Sequence, residues 1–263
     1  MEDSLPIFRI ASFKFFFCFG ILFLHSQKSF AKKKIINVVL DAGHGGMDSG
    51  AVGKFSKEKN IALKVTLELG KVLQSEKNIK IIYTRDKDIF FEQHKRSKIA
   101  REKADLFISI HCNSAKSPKV NGVEAYIMAV GQLTESSEAA KRENQVIKLE
   151  KKYDEIYSNI SKENCAHILY AIQCRSNYDA SLKLGNSIIT ELSKTLKMKN
   201  RGVKQDRLIL FYRILVPSVL IEIGYISNIE EEKKLNNIEK IKKIAEAIAS
   251  AILNFREKHY KNL

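Results

Sequence analysis

The chain has 263 residues, 44% of them hydrophobic and 29% charged, with a formal net charge of +15. That length and apolar content exclude a disordered chain and suit one domain of the larger α/β kind. The positive balance suggests a polyanion nearby, but no zinc-finger, RNP or helix-turn-helix pattern supports nucleic acid, and a compositional bias toward Lys, Ile and Asn explains the charge equally well.

Residues 1–31 have the pattern of a signal peptide. Arg9 and Lys14 form a positive n-region, Phe15 to Leu24 an apolar h-region, and Ser29-Phe30-Ala31 a small-x-small cleavage site. The apolar run falls short of the roughly 20 residues that span a bilayer, so an exported, periplasmic protein is expected, with an uncleaved anchor as the alternative. Cys18 would leave with this segment, and Cys112, Cys165 and Cys174 remain. Cys165 and Cys174 on one helix would stand about 13 Å apart, beyond disulfide reach, so no disulfide framework is expected.

From residue 32 a single domain is expected to run to residue 263. Ile35 to Leu40 is an apolar, β-branched run that reads as a buried strand, and it breaks into Asp41-Ala42-Gly43-His44-Gly45-Gly46. Loops at the carboxyl ends of parallel strands are where open α/β sheets bind ligands. Ser56 is a plausible N-cap for a helix whose apolar face is Ile61, Val65, Leu69 and Val72. Glu58 falls in its first turn, where the helix dipole alone favours a carboxylate, or where it points back toward His44. Ile79–Tyr83 reads as a second strand and residues 91–103 as a helix, with His94 a solvated residue on it. Ala104 to His111 repeats the pattern of a buried strand ending in a histidine, and Val123–Met128 reads as a further strand.

Over residues 131–181 charged residues dominate and strand signals vanish. A connection that long is more than a link between sheet elements, so a helical lid or regulatory insertion is expected. Ser181–Leu196 resumes an amphipathic helix. Leu208–Tyr212 and Val216–Glu222 read as strands, and Ile238 to Phe255 carries a helical apolar stripe.

Three strands thus each deliver a metal- or proton-competent side chain at the carboxyl end: His44, His111 and Glu222. A lone histidine is more often a satisfied structural residue, but the repetition favours a site. Two histidines with a glutamate suit Zn²⁺, and three protein ligands with one open position are the pattern of catalytic zinc. A carboxylate that is not a ligand is then needed to carry the proton, and Glu222 fits. His-Glu-x-x-His is absent, which excludes the helix-borne metalloprotease arrangement.

The segments LDAGHGGMDSGAVG, SKEKNIAL, YTRDKD, ADLFISIHCN, GVEAYIM and VPSVLIEIGYISNIEEEKKL, in that order, resemble the zinc-dependent N-acetylmuramoyl-L-alanine amidases of the cell-separation type. The resemblance implies one zinc per chain on His44, Glu58 and His111, with Glu222 as the catalytic glutamate. It implies a single α/β domain with a twisted, mostly parallel (mixed) sheet of about six strands flanked by helices. It also implies a peptidoglycan substrate, cut between N-acetylmuramic acid and L-alanine for wall remodelling and daughter-cell separation. In several relatives a helix of the insertion blocks the zinc cleft until a LytM-domain activator displaces it. Ala139 to Asn144 resembles the start of such a segment, and Glu150 and Glu155 are candidates for the blocking carboxylate. The alternatives are a non-enzymatic wall-binding protein on the same fold and a zinc peptidase acting on stem peptides.

Overall fold

The computed structural model describes residues 35–130, 135–157 and 166–260, without the side chains of 153 and 166–176. The expected signal peptide, and the spacing of Cys165 from Cys174, lie outside the described residues. A six-stranded sheet has the order β2-β1-β3-β6-β4-β5, built from β1 (Ile36–Ala42), β2 (Ile79–Tyr83), β3 (Leu106–Asn113), β4 (Val123–Met128), β5 (Asn200–Asp206) and β6 (Ser218–Tyr225). β2, β1, β3 and β6 are mutually parallel, whereas β4 runs antiparallel to β6 and parallel to β5. This is the mixed α/β sheet that the motif order implies.

The alternation of side chains across each strand divides the core in two. Val38, Leu40, Ile108, Ile110, Ile221 and Ile223 face one side, where α1 (Glu58–Gln74), α5 (Ala166–Leu196) and α7 (Ile238–His259) cover them with Val65, Leu69, Leu184, Ile244 and Ile248. Val39, Phe107 and Leu220 face the other side, under α2 (Gln93–Lys103) and α3 (Glu138–Gln145). Asp41, Ser109, His111 and Glu222 alternate with the first set and so continue the second face toward the strands' carboxyl ends.

Two expectations about elements need correction. Leu208–Tyr212 is not a strand: Ile209–Phe211 is a 3₁₀ turn that puts Leu210 and Phe211 into the second core, with Phe211 edge-on to Phe107. A short apolar run has no period to separate a strand from a turn. The strand is the preceding, polar Asn200–Asp206, whose place at the sheet edge lets most of its side chains meet solvent. Ser56 is not the N-cap of α1. Lys57 holds that position without a side-chain bond, while the Ser56 hydroxyl, together with the N–H groups of Lys54, Phe55 and Ser56, donates to the carboxylate of Glu232. Glu232 belongs to α6 (Ile229–Asn236), so a distant helix shapes the loop that leads to Glu58.

The described residues of the insertion are helical, as expected. The insertion holds α3, a 3₁₀ turn at Val146–Leu149, the short α4 (Tyr153–Tyr157) and the first half of α5, which extends without a break into Ser181–Leu196. Among the described residues no helix is long and apolar enough to cross a membrane.

Candidate active site

His44 leaves the sheet immediately after β1 in a left-handed conformation, φ 59°. Its Nδ1 lies 2.7 Å from Asp48 Oδ2, which fixes Nε2 toward the cleft. Two buried arginines hold the loop from behind. Arg85 donates to the carbonyls of Ala42, Gly43 and Lys59, and Arg96 to those of Ala42 and His44 as well as to the buried carboxylate of Asp41. His111 stands near the end of β3, next to Glu222 of β6 in register. The Gly43 Cα lies so close to the His111 ring that a Cβ there would sit 2.4 Å from Cε1.

Glu58 is fully buried at the start of α1, and it turns back toward the sheet rather than capping its helix in solvent. Its Oε2 accepts the Ala51 N–H at 2.8 Å, and its Oε1 accepts the Cys112 N–H at 2.9 Å. The approach to it is tight: at Gly50, φ 62°, a Cβ would lie 2.7 Å from Glu58 Oε2. Oε1 lies 3.1 Å from His44 Nε2 and 3.0 Å from His111 Nδ1. The three side chains expected to bind metal are therefore brought together.

A fourth group completes the cluster, and it is neither Glu150 nor Glu155. Glu143 of α3 places Oε2 3.2 Å from His44 Nε2 and 3.0 Å from His111 Nδ1. Glu150 is buried elsewhere, accepting the Gln93 N–H at 2.5 Å and the Tyr157 hydroxyl at 2.8 Å and lying 2.7 Å from His94 Nδ1. His94 is accordingly engaged rather than simply solvated. Glu155 pairs with Lys152 at 3.2 Å in solvent. The helical face explains the difference: Ala139 and Ala140 dock against the second core, and Glu143, three and four positions on, shares that face. That spacing was the signal in the sequence that could have identified it.

The cluster fits a metal. The four atoms lie within 4.8 Å of one another, and the four imidazole–carboxylate separations are 3.0–3.2 Å. Zinc bonds of 2.0–2.1 Å in a tetrahedron give edges of about 3.3 Å. His44 Nε2 and Glu143 Oε2 are buried without a hydrogen-bond partner, as expected of lone pairs that converge on a common centre. Burial opposes charge on both histidines, yet the facing carboxylates prevail. Glu58 and Glu143 hold His44 well above its ordinary value and bring His111 up to about 10. Burial likewise works against ionised Glu58, but His44 and His111 draw it down to about 2.

Glu222 lies beside this cluster, fully buried, and neither carboxylate oxygen has a hydrogen-bond partner. Arg142 Nη2 approaches Oε1 at 3.7 Å. Burial, reinforced by the negative charge of Glu143 and opposed by Arg142, raises the Glu222 pKa well above the usual carboxylate range. Motif reading alone did not single out Arg142, which approaches Glu222, Glu124, its cross-strand partner, or Asn113, which Arg142 also reaches.

Residues 38–254 match the family Amidase_3, N-acetylmuramoyl-L-alanine amidase. The chain is 32% identical to the N-acetylmuramoyl-L-alanine amidase AmiC of Escherichia coli over 222 residues, 82% of this chain but only 52% of that protein. It is 30% identical to a putative N-acetylmuramoyl-L-alanine amidase of Buchnera aphidicola, over 84% of this chain and 95% of the other. In structure it resembles the N-acetylmuramoyl-L-alanine amidase AmiC2 of Nostoc punctiforme, with a TM-score of 0.62 at 27% identity, over 86% of this chain and 99% of that one.

Proposed function

The chain belongs to the N-acetylmuramoyl-L-alanine amidase family of hydrolases, and from that premise we propose an exported zinc amidase that cleaves the bond between N-acetylmuramic acid and L-alanine in peptidoglycan. The observation that carries this reading is the convergence of His44, Glu58 and His111 beside a buried Glu222 whose carboxylate oxygens have no hydrogen-bond partner. His44, Glu58 and His111 would hold the ion, one per chain. Zinc supplies a Lewis acid and a water acidic enough to act as hydroxide near neutral pH. Glu222 takes the proton of the attacking water and returns it to the departing L-alanine nitrogen. Its raised pKa suits both halves of that transfer.

Glu143 gives the insertion over residues 131–181 its role. The carboxylate fills the position a substrate carbonyl would need, so the described conformation is read as autoinhibited. Release requires α3 to withdraw, which a partner binding the insertion would bring about; a LytM-domain protein is the proposed activator. Residues 1–31 are assigned as the signal peptide, the periplasm as the compartment, and daughter-cell separation as the purpose of the wall remodelling.

The test is a digest of purified peptidoglycan by the chain freed of residues 1–31, in wild-type, Glu143→Ala and Glu222→Ala forms, with mass spectrometry of the products. Stem peptides beginning with L-alanine are expected from the Glu143→Ala form and absent with Glu222→Ala. Fragments cut within the stem would instead identify a peptidase. No release from a zinc-loaded Glu143→Ala form would leave a wall-binding protein.

A further inference from the structure

The insertion brings a second group into the cleft beside Glu143. Arg142 Nη2 lies 3.7 Å from Glu222 Oε1 and donates to Asn113 Oδ1 at 3.3 Å, while Nη1 donates to the Ser114 carbonyl at 3.2 Å. A nitrogen donor therefore sits between the Glu222 carboxylate and the Asn113 amide oxygen. The departing amine must occupy the same kind of position if Glu222 is to protonate it.

Asn113 cannot present its other atom there. Its Nδ2 donates to Glu124 Oε1, and an ionised carboxylate only accepts; its Oδ1 also accepts the Ser114 N–H at 2.7 Å. Turning the amide over would set oxygen against carboxylate and donor against donor. Glu124 is itself immobilised. It is buried, is the cross-strand partner of Glu222, accepts from the hydroxyls of Tyr126 and Tyr225 at 2.9 and 3.1 Å, and pairs with Arg201 and Lys204 at 3.1 and 2.6 Å.

We propose that Asn113 Oδ1 accepts the N–H of the scissile amide, and that Glu124 is the positioning residue that keeps this oxygen turned into the cleft. The assignment rests on the amidase reading above. With the N–H held by Asn113, the nitrogen lone pair that appears as the C–N bond weakens is directed at the Glu222 carboxyl. The nitrogen takes the proton that Glu222 removed from water, the C–N pair leaves with the nitrogen, and the acyl carbon is released as a carboxylic acid. Arg142 occupies the acceptor while the insertion is seated, so the plug imitates the substrate at two points: Glu143 facing the histidines and Arg142 facing Asn113 and Glu222.

The assignment is tested with paired substrates, a muramoyl-L-alanyl peptide and its ester counterpart in which L-lactate replaces L-alanine and an oxygen replaces the N–H. Both are cleaved by a zinc-loaded Glu143→Ala parent. Asn113→Ala in that parent lowers kcat/KM on the amide about tenfold or more and on the ester by no more than about twofold. Glu124→Gln, with Asn113 intact, gives a smaller loss of the same selectivity, and it decides the question if Asn113→Ala fails to fold. An equal loss on both substrates, or none, overturns the assignment while the amidase reading stands. A parent that cleaves neither substrate overturns both.

Discussion

Replacing Glu143 by alanine is the perturbation that most directly tests the closed insertion. The carboxylate is buried, lies 3.2 and 3.0 Å from the two histidines, and is joined at its other oxygen by Arg142 at 3.2 Å. Breaking a buried ion pair by removing one partner costs about 3–5 kcal/mol. Zinc or protonated imidazoles would each present positive charge to this oxygen, so the lower figure is a reasonable share for the seated state. About 3 kcal/mol moves the open-to-closed ratio roughly 150-fold toward open. The remaining hold is weaker but real: Glu150 beside the N-terminus of α2, Gln93 Nε2 on the Glu143 carbonyl, and Ala139 with Ala140 on the second core. Release of soluble fragments from dye-labelled peptidoglycan, without any activator, should therefore rise at least about tenfold over the wild-type chain at equal zinc content. An unchanged rate with zinc retained and the fold intact would refute the plug.

The other predictions concern the metal cluster itself. Glu58→Ala removes a proposed zinc ligand and the acceptor for the Ala51 and Cys112 N–H groups, so the purified protein should lose bound zinc to a mild chelator and lose activity with it. Full zinc together with full activity would contradict that assignment. After complete chelation, the histidines and carboxylates face one another alone. His111, raised from 6.5 to about 10, lends stability that is full below about pH 6.5 and is lost as the pH climbs toward 10. Glu58, lowered from 4.5 to about 2, lends stability that is full above about pH 4.5 and is lost as the pH falls toward 2. The zinc-free Tm should thus peak near pH 5–6.5 and decline on both sides. A zinc-free Tm that rises between pH 7 and 9 would count against the cluster.

The positions of His44, His111 and Glu222 were legible because each ends an apolar strand run, and strand ends at the carboxyl edge of a parallel sheet share one line in space. Glu58 was legible only in part. Its place in a first turn is equally that of a solvent-facing carboxylate, and the turn inward depends on Gly50 and on the loop that Glu232 anchors from 176–178 residues further along the chain. Glu143 was missed in favour of Glu150 and Glu155, because an insertion rich in acids offers several carboxylates and only docking selects one. The strand at Asn200–Asp206 was missed because an edge strand need not be apolar on either face.

The three strand-end groups and the presence of a helical insertion are written in the chain itself, since they follow from local apolar patterning and from residue type at a chain break, and the mixed α/β architecture follows from the order of the family motifs. Which carboxylate faces the histidines, which atom of Asn113 meets Arg142, and which short run pairs at the sheet edge are settled by the folded chain alone. These depend on distances between segments far apart in the chain. A hydrogen bond or ion pair exists only when donor and acceptor meet within about 3 Å, and no local pattern encodes that meeting.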